Sequence, residues 1–134
     1  MARMCAKDRT PLVISFGIEY DERPWTTNAE RSGNRWDRAK KTKQWRTAFA
    51  LLAAELNPPP LVWCRVIVEP WLRTRAGVQD TGACHPAAKA AIDGLVDAGI
   101  IDDDTPDIVR EITYRAPRIG RDALTLIIEG EAKT

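Results

Sequence analysis

The sequence predicts an α+β or mixed α/β domain in which helices lie against a small sheet. Three observations carry this expectation. A strand-like segment followed by a helical one occurs twice, and a final pair of strand-like segments closes the chain. The 134 residues, 44% hydrophobic and 29% charged, are enough to bury one core but not two. No internal repeat or low-complexity segment breaks the pattern, so a single domain is expected over 1–134, with flexible ends at 1–10 and 131–134.

The elements follow in order. From Leu12 to Tyr20, Val13, Ser15 and Gly17 alternate with Ile14, Phe16 and Ile18, the period of a strand. Asp21 to Asn34 contains Pro24, Asn28, Gly33 and Asn34 with little periodicity and is expected to be an exposed loop. From Trp36 to Leu56 the residues Trp45, Ala48, Phe49, Leu52 and Leu56 recur at helical spacing, and Asn57-Pro58-Pro59-Pro60 stops the helix. Leu61 to Glu69 reads as a second strand, and Pro70 to Gly82 as a loop holding Trp71, Arg73, Arg75 and Gly77. Pro86 suits the first turn of a helix, because its missing N–H would have no partner there. That helix runs to about Ala98, buries Ala88, Ala91, Ile92, Leu95 and Val96, and ends at Gly99 in a left-handed conformation. Ile108 to Tyr114 and Ala123 to Glu129 complete the strands, joined through Pro117 and Gly120.

Composition excludes some classes of protein. No apolar run approaches the length of a membrane span, and Met1 to Thr10 is not followed by an apolar stretch with a cleavage site, so a cytoplasmic location is expected. Cys5, Cys64 and Cys84 are too far apart in sequence to suggest a disulfide framework or a paired zinc motif. The net charge of +1 hides two poles. Arg31, Arg35, Arg38, Lys40, Lys41, Lys43 and Arg46 face the single acid Asp37 in their stretch, whereas Asp93 to Asp107 holds six aspartates and no base. The basic stretch also carries Trp36, Trp45, Asn28 and Asn34. Such a mixture suits phosphate contact and base stacking, and equally a solvated helix face with core tryptophans.

The chemistry-bearing segment runs from Asp80 through Cys84, His85 and Lys89 to Asp102-Asp103-Asp104. Hard divalent cations take oxygen ligands and a nearby lysine can neutralise a phosphate, so carboxylates and lysine around one short helix suit metal-assisted phosphodiester chemistry. The bland alternative is a solvated acidic loop with Lys89 paired to Asp93, four residues along the helix. His85 could ligate a metal, shuttle a proton or cap the helix. Cys84 reads as a small buried residue, and Asp93 and Asp97 as solvated positions on the polar side.

Two segments resemble the RusA-type Holliday junction resolvases, small dimeric Mg²⁺-dependent endonucleases of bacteria and their phages. The first is Lys89-Ala-Ala-Ile-Asp-Gly-Leu-Val-Asp-Ala-Gly99-Ile-Ile-Asp-Asp-Asp104, matching the family's lysine, apolar helix ending in Ala-Gly and closing acidic pair. The second is Asn28 through Gly33-Asn-Arg-Trp36 to Lys43-Gln-Trp-Arg46, resembling its asparagine-bearing loop and basic helix. The chain departs from the family where two aspartates separated by one residue, then asparagine, precede the lysine. With Asp80 on the first aspartate, the preferred alignment, Gly82 and Ala83 take the next two places. Counting back from Lys89 puts Ala83 and His85 on the two aspartates instead.

The resemblance implies an α+β fold with two helices on a small mixed sheet, and a homodimer that binds four-way junctions. It implies Mg²⁺-dependent cleavage, with Mn²⁺ as a substitute. Asp80, Lys89, Asp103 and Asp104 would be catalytic, with Asp80, Asp104 and His85 holding the metal. Asn28, Asn34, Arg35, Arg38, Lys40, Lys41 and Lys43 would contact DNA, together with Arg73 and Arg75. The alternative is a branched-DNA-binding or architectural protein whose altered acidic set no longer cleaves. A third reading, a zinc-binding interaction domain, would use Cys84 and His85.

Overall fold

The computed structural model describes residues 11–26, 34–75 and 78–134. Strand β1 (Val13–Tyr20) is followed by helix α1 (Arg35–Leu56), strand β2 (Leu61–Leu72), helix α2 (His85–Asp97), and strands β3 (Val109–Tyr114), β4 (Arg118–Ile119) and β5 (Ala123–Ala132). The sheet order is β1-β5-β2-β3, with β4 continuing the β3 edge alongside β2. β5 runs antiparallel to both β1 and β2, while β3 and β4 run parallel to β2. This is the expected α+β architecture: two helices and a five-stranded mixed sheet. Parallel β2 and β3 require a crossover, and α2 is that crossover.

Both helices pack on one face of the sheet. Trp45, Phe49 and Ala53 of α1 are buried at four-residue spacing, a narrow stripe that leaves most of the helix in solvent. They meet Val66, Val68, Leu126 and Ile128 from the sheet and Leu95 from α2. Gly94 lets the helices approach: a Cβ there would lie 2.5 Å from the Arg46 carbonyl oxygen and 2.9 Å from the Ala50 nitrogen. The helix ends obey local chemistry. Asn34 Oδ1 accepts from the Asp37 N–H as the N-cap of α1, and Asn57 caps its other end with φ 51°. Gly99 has φ 77°, the left-handed turn expected of it.

Several expectations are corrected. Pro24 and Trp25 do not belong to an exposed loop; Trp25 is buried edge-on against Trp45, because an indole gains most when desolvated. Residues 27–33 of that loop, Asn28 among them, lie outside the described residues, as do 1–10. β2 continues through Pro70 and Trp71, which read as loop. The Val68 carbonyl bonds to the Arg115 N–H on the β3 side, so by strand periodicity the missing N–H of Pro70 faces the break between β3 and β4. Nor is the C-terminus loose throughout 131–134. β5 reaches a buried Ala132, and the Lys133 N–H donates to the Pro60 carbonyl at 2.8 Å. None of the described helices is long and apolar enough to cross a membrane.

Candidate functional site

The crossover helix α2 presents its polar side as a stripe. His85, Lys89 and Asp93 are spaced by four residues and therefore stack along one helix face. The other sides of α2 are buried from Pro86 through Leu95, which fixes the orientation of that stripe. The loop after α2 returns under it: the buried side chains of Ile100 and Ile101 anchor the turn, and the Ile100 carbonyl accepts from the Leu61 N–H at 2.8 Å. The run Asp102-Asp103-Asp104 is thereby held beside the stripe.

Three charged groups converge there. Lys89 Nζ donates to Asp93 Oδ1 at 3.0 Å and also to Asp104 Oδ2. Asp103 Oδ1 accepts the Asp104 N–H at 2.8 Å and so shapes the turn that presents Asp104. The Lys89 hydrogen bond holds the Asp104 carboxyl below the usual carboxylate range, and Asp104 in turn raises Lys89 above the usual lysine value. At the N-terminal end of the stripe, His85 Nδ1 is hydrogen-bonded to the Tyr114 hydroxyl at 2.9 Å. Burial, with a smaller contribution from Cys84, raises the Tyr114 phenol.

Asp80 stands apart from this group. It lies in the exposed turn before α2, where its carbonyl accepts the Ala83 N–H at 3.0 Å, and no ion pair or hydrogen bond links its carboxylate to Lys89, Asp103 or Asp104. Among the described residues, no three His, Cys, Asp or Glu side chains stand together as a ligand group. Oxygen donors are nevertheless the right chemistry for Mg²⁺, which commonly uses only one or two carboxylates and completes its shell with water and phosphate. Asp93 and Asp104 already share one cationic group, the Lys89 ammonium.

The remaining aspartates are less solvated in role than their spacing implied. Asp97 is corrected from a free polar position to a two-pronged pair with Arg46, at 2.6 and 2.8 Å, which ties α2 to α1. Asp93 is likewise a partner of Lys89, half of the expected reading. Asp102 pairs with Lys133 at 2.9 Å. Cys84 is buried as expected, and burial pushes its thiol up to about 11, so it is a core residue in its thiol form.

The basic residues lie on α1. Arg35, Lys40, Lys41 and Lys43 are exposed and form no ion pair among the described residues, and Arg38 lies between them. Trp36 is 83% exposed, whereas Trp45 belongs to the core. Asn34 serves as the helix cap. Arg73 and Arg75 are exposed at the end of β2, where the Arg73 N–H donates to Asp122 Oδ1 at 2.8 Å. Tyr114 was missed by sequence reasoning, since nothing local in the sequence links it to His85; only the parallel pairing of Tyr114 with Val68 brings it to α2. No protein-family model matches this chain, and no curated protein matches it in sequence.

Proposed function

We propose that this protein binds branched DNA and cleaves its phosphodiester backbone in the presence of Mg²⁺ or Mn²⁺, as the likeness to RusA-type resolvases implies. The observation that carries the reading is the meeting of Lys89 with Asp104 across fifteen positions of sequence, backed by Asp93 and Asp103. A lysine between carboxylates is suited to hold a phosphate oxygen and offset charge that develops during in-line displacement. Asp104 would be the carboxylate that holds the metal, which would supply Lewis-acid stabilisation of the phosphate, since Asp80 and His85 form no ligand group with it among the described residues. In this reading Tyr114 orients His85, whose other ring nitrogen would accept or return a proton.

The ridge on α1 supplies DNA affinity in this reading. Arg35 sits in the first turn of the helix, where positive charge opposes the helix dipole, so its charge does not serve helix stability. Exposed Trp36 offers a flat ring beside that cation, suited to a base exposed at a branch point. The second reading, DNA binding without cleavage, is favoured by one observation: the Asp80 carboxylate has no link to the Lys89 group. Incubating the protein with a synthetic four-way junction and Mg²⁺ or Mn²⁺ separates them. Paired symmetric nicks are expected; binding with no nicks in either metal would leave only the second reading.

A further inference from the structure

Glu69 lies on the face of the sheet that no described helix or strand covers, since its neighbours Val68 and Pro70 on β2 point to the helices, and yet its side chain is only 7% exposed. Three side chains close over it. The carboxylate accepts the Trp71 Nε1–H at 3.0 Å and an Arg115 N–H at 2.8 Å, and Arg118 Nη1 stands at 3.8 Å, beyond hydrogen-bond reach. Arg118 and Arg121 both lie over the Trp71 ring, their guanidinium carbons 5.4 and 3.9 Å from its centroid. Glu19 pairs with Arg121 at 2.6 Å, and Asp122 accepts the Arg73 N–H.

A buried carboxylate is costly to keep unless its partners are held in good geometry. Here those partners are arginines that keep much of their own surface in solvent, about half in each of Arg115, Arg118 and Arg121. Arginines on an edge of a sheet also deter edge-to-edge pairing, but that role needs neither a buried glutamate nor a tryptophan beneath them. The far end of the same face has the opposite balance: around Trp63, Arg65 and Arg110 meet Glu111, Glu129 and Glu131.

We infer that Arg115, Arg118 and Arg121 form a second phosphate-binding site, which takes the backbone of a DNA strand leaving the α2 stripe and so selects branched over linear DNA. Its position follows from strand periodicity. Tyr114 and Arg115 are consecutive and point to opposite sides of the sheet: Tyr114 meets His85 of α2, and Arg115 meets Glu69. β3 is the last strand on that side of the sheet, so a single edge separates the two places. A backbone engaged at the stripe reaches the arginines by turning about that edge. Such a turn costs a stiff duplex elastic energy, whereas a branch point turns where its strands part. Guanidinium groups preset by Glu69 and Trp71 suit the task, because a planar fork matches two phosphate oxygens. The inference rests on the proposed function for its ligand and adds the residues that sense branch geometry; the α1 ridge would hold linear and branched DNA alike.

The test compares binding of the full chain to a four-way junction and to a linear duplex of the same sequence, in metal-free buffer so that cleavage plays no part. Arg118→Ala removes an exposed side chain that is not hydrogen-bonded to Glu69, and should leave the thermal unfolding midpoint at the parental value. It should lower junction affinity about tenfold and the salt slope by about 0.9, the loss of one phosphate contact, with linear-duplex affinity unchanged. Arg118→Lys keeps the charge without the fork and should fall between Arg118→Ala and the parent. Arg65→Ala, at the far end of the face, should alter neither affinity. Parental junction binding by Arg118→Ala, or equal losses on junction and duplex, would overturn the inference while leaving the proposed function standing. A parent that binds no DNA would overturn both.

Discussion

The two helices differ in charge, eight charged residues of 22 on α1 and three of 13 on α2, and their charges are in different states. On α2 and the loop that follows it, the charged groups have partners: Lys89 has Asp93 and Asp104, Asp97 has Arg46, and Asp102 has Lys133. On α1, Lys40, Lys41 and Lys43 have no ion-pair partner among the described residues. Charges that satisfy one another hold geometry, which a reacting centre needs. Cations without internal partners remain available to phosphates, and in the proposed reading the α1 ridge would give affinity while the α2 stripe would give chemistry.

Removing the uncommitted cations should produce the largest effect that bears on this contrast. Lys40, Lys41 and Lys43 changed together to alanine should lower the slope of log affinity against log salt by about 2.7, close to 0.9 for each phosphate no longer neutralised. Junction titrations over a range of NaCl concentrations would measure it. An unchanged slope would move the DNA surface away from α1.

A smaller effect should follow from pushing the helices apart. Gly94→Ala places a methyl group where the Arg46 carbonyl and the Ala50 nitrogen now lie, and should cost about 1–3 kcal/mol of stability as the helices shift. Chemical denaturation would report it. The Arg46 to Asp97 pair spans the same junction of helices, so Asp97→Asn should weaken the fold as well.

The mildest effect is pH dependence. Hydrogen bonds from Lys89 and Arg46 hold Asp104 and Asp97 below the ordinary carboxylate range, so both groups release protons more readily folded than unfolded. Their contribution is present above the unfolded carboxylate pKa of about 4 and is lost as pH falls through the lowered folded values. Denaturant midpoints should therefore drop as pH falls below about 4, and drop less in a Lys89→Met variant. Equal acid sensitivity in both proteins would show that the pair adds nothing.

Much of the fold was legible in the sequence because its signals are local. Pro86 at the start of α2, Gly99 at its end and Asn57 after α1 act through their own backbone preferences, and the alternation in β1 records one buried face. What was not legible depends on partners distant in sequence. Trp25 is buried because Trp45 is there to meet it; Pro70 is tolerated in β2 because β3 ends and β4 begins beside it. The site divides the same way. The Lys89 to Asp93 pair follows from helical spacing, while Tyr114 beside His85 and Arg46 beside Asp97 required the tertiary structure.

The division of labour between the two helices is tested most directly by Asp104→Asn, which removes a charge at nearly constant volume. On a four-way junction with Mg²⁺, it should cut the cleavage rate about a hundredfold or more, comparable to losing a key electrostatic group. Junction affinity in metal-free buffer should match the parent, because in the proposed reading the α1 ridge supplies it. Cleavage at the parental rate, or loss of binding in step with cleavage, would contradict the assignment of chemistry to the α2 stripe.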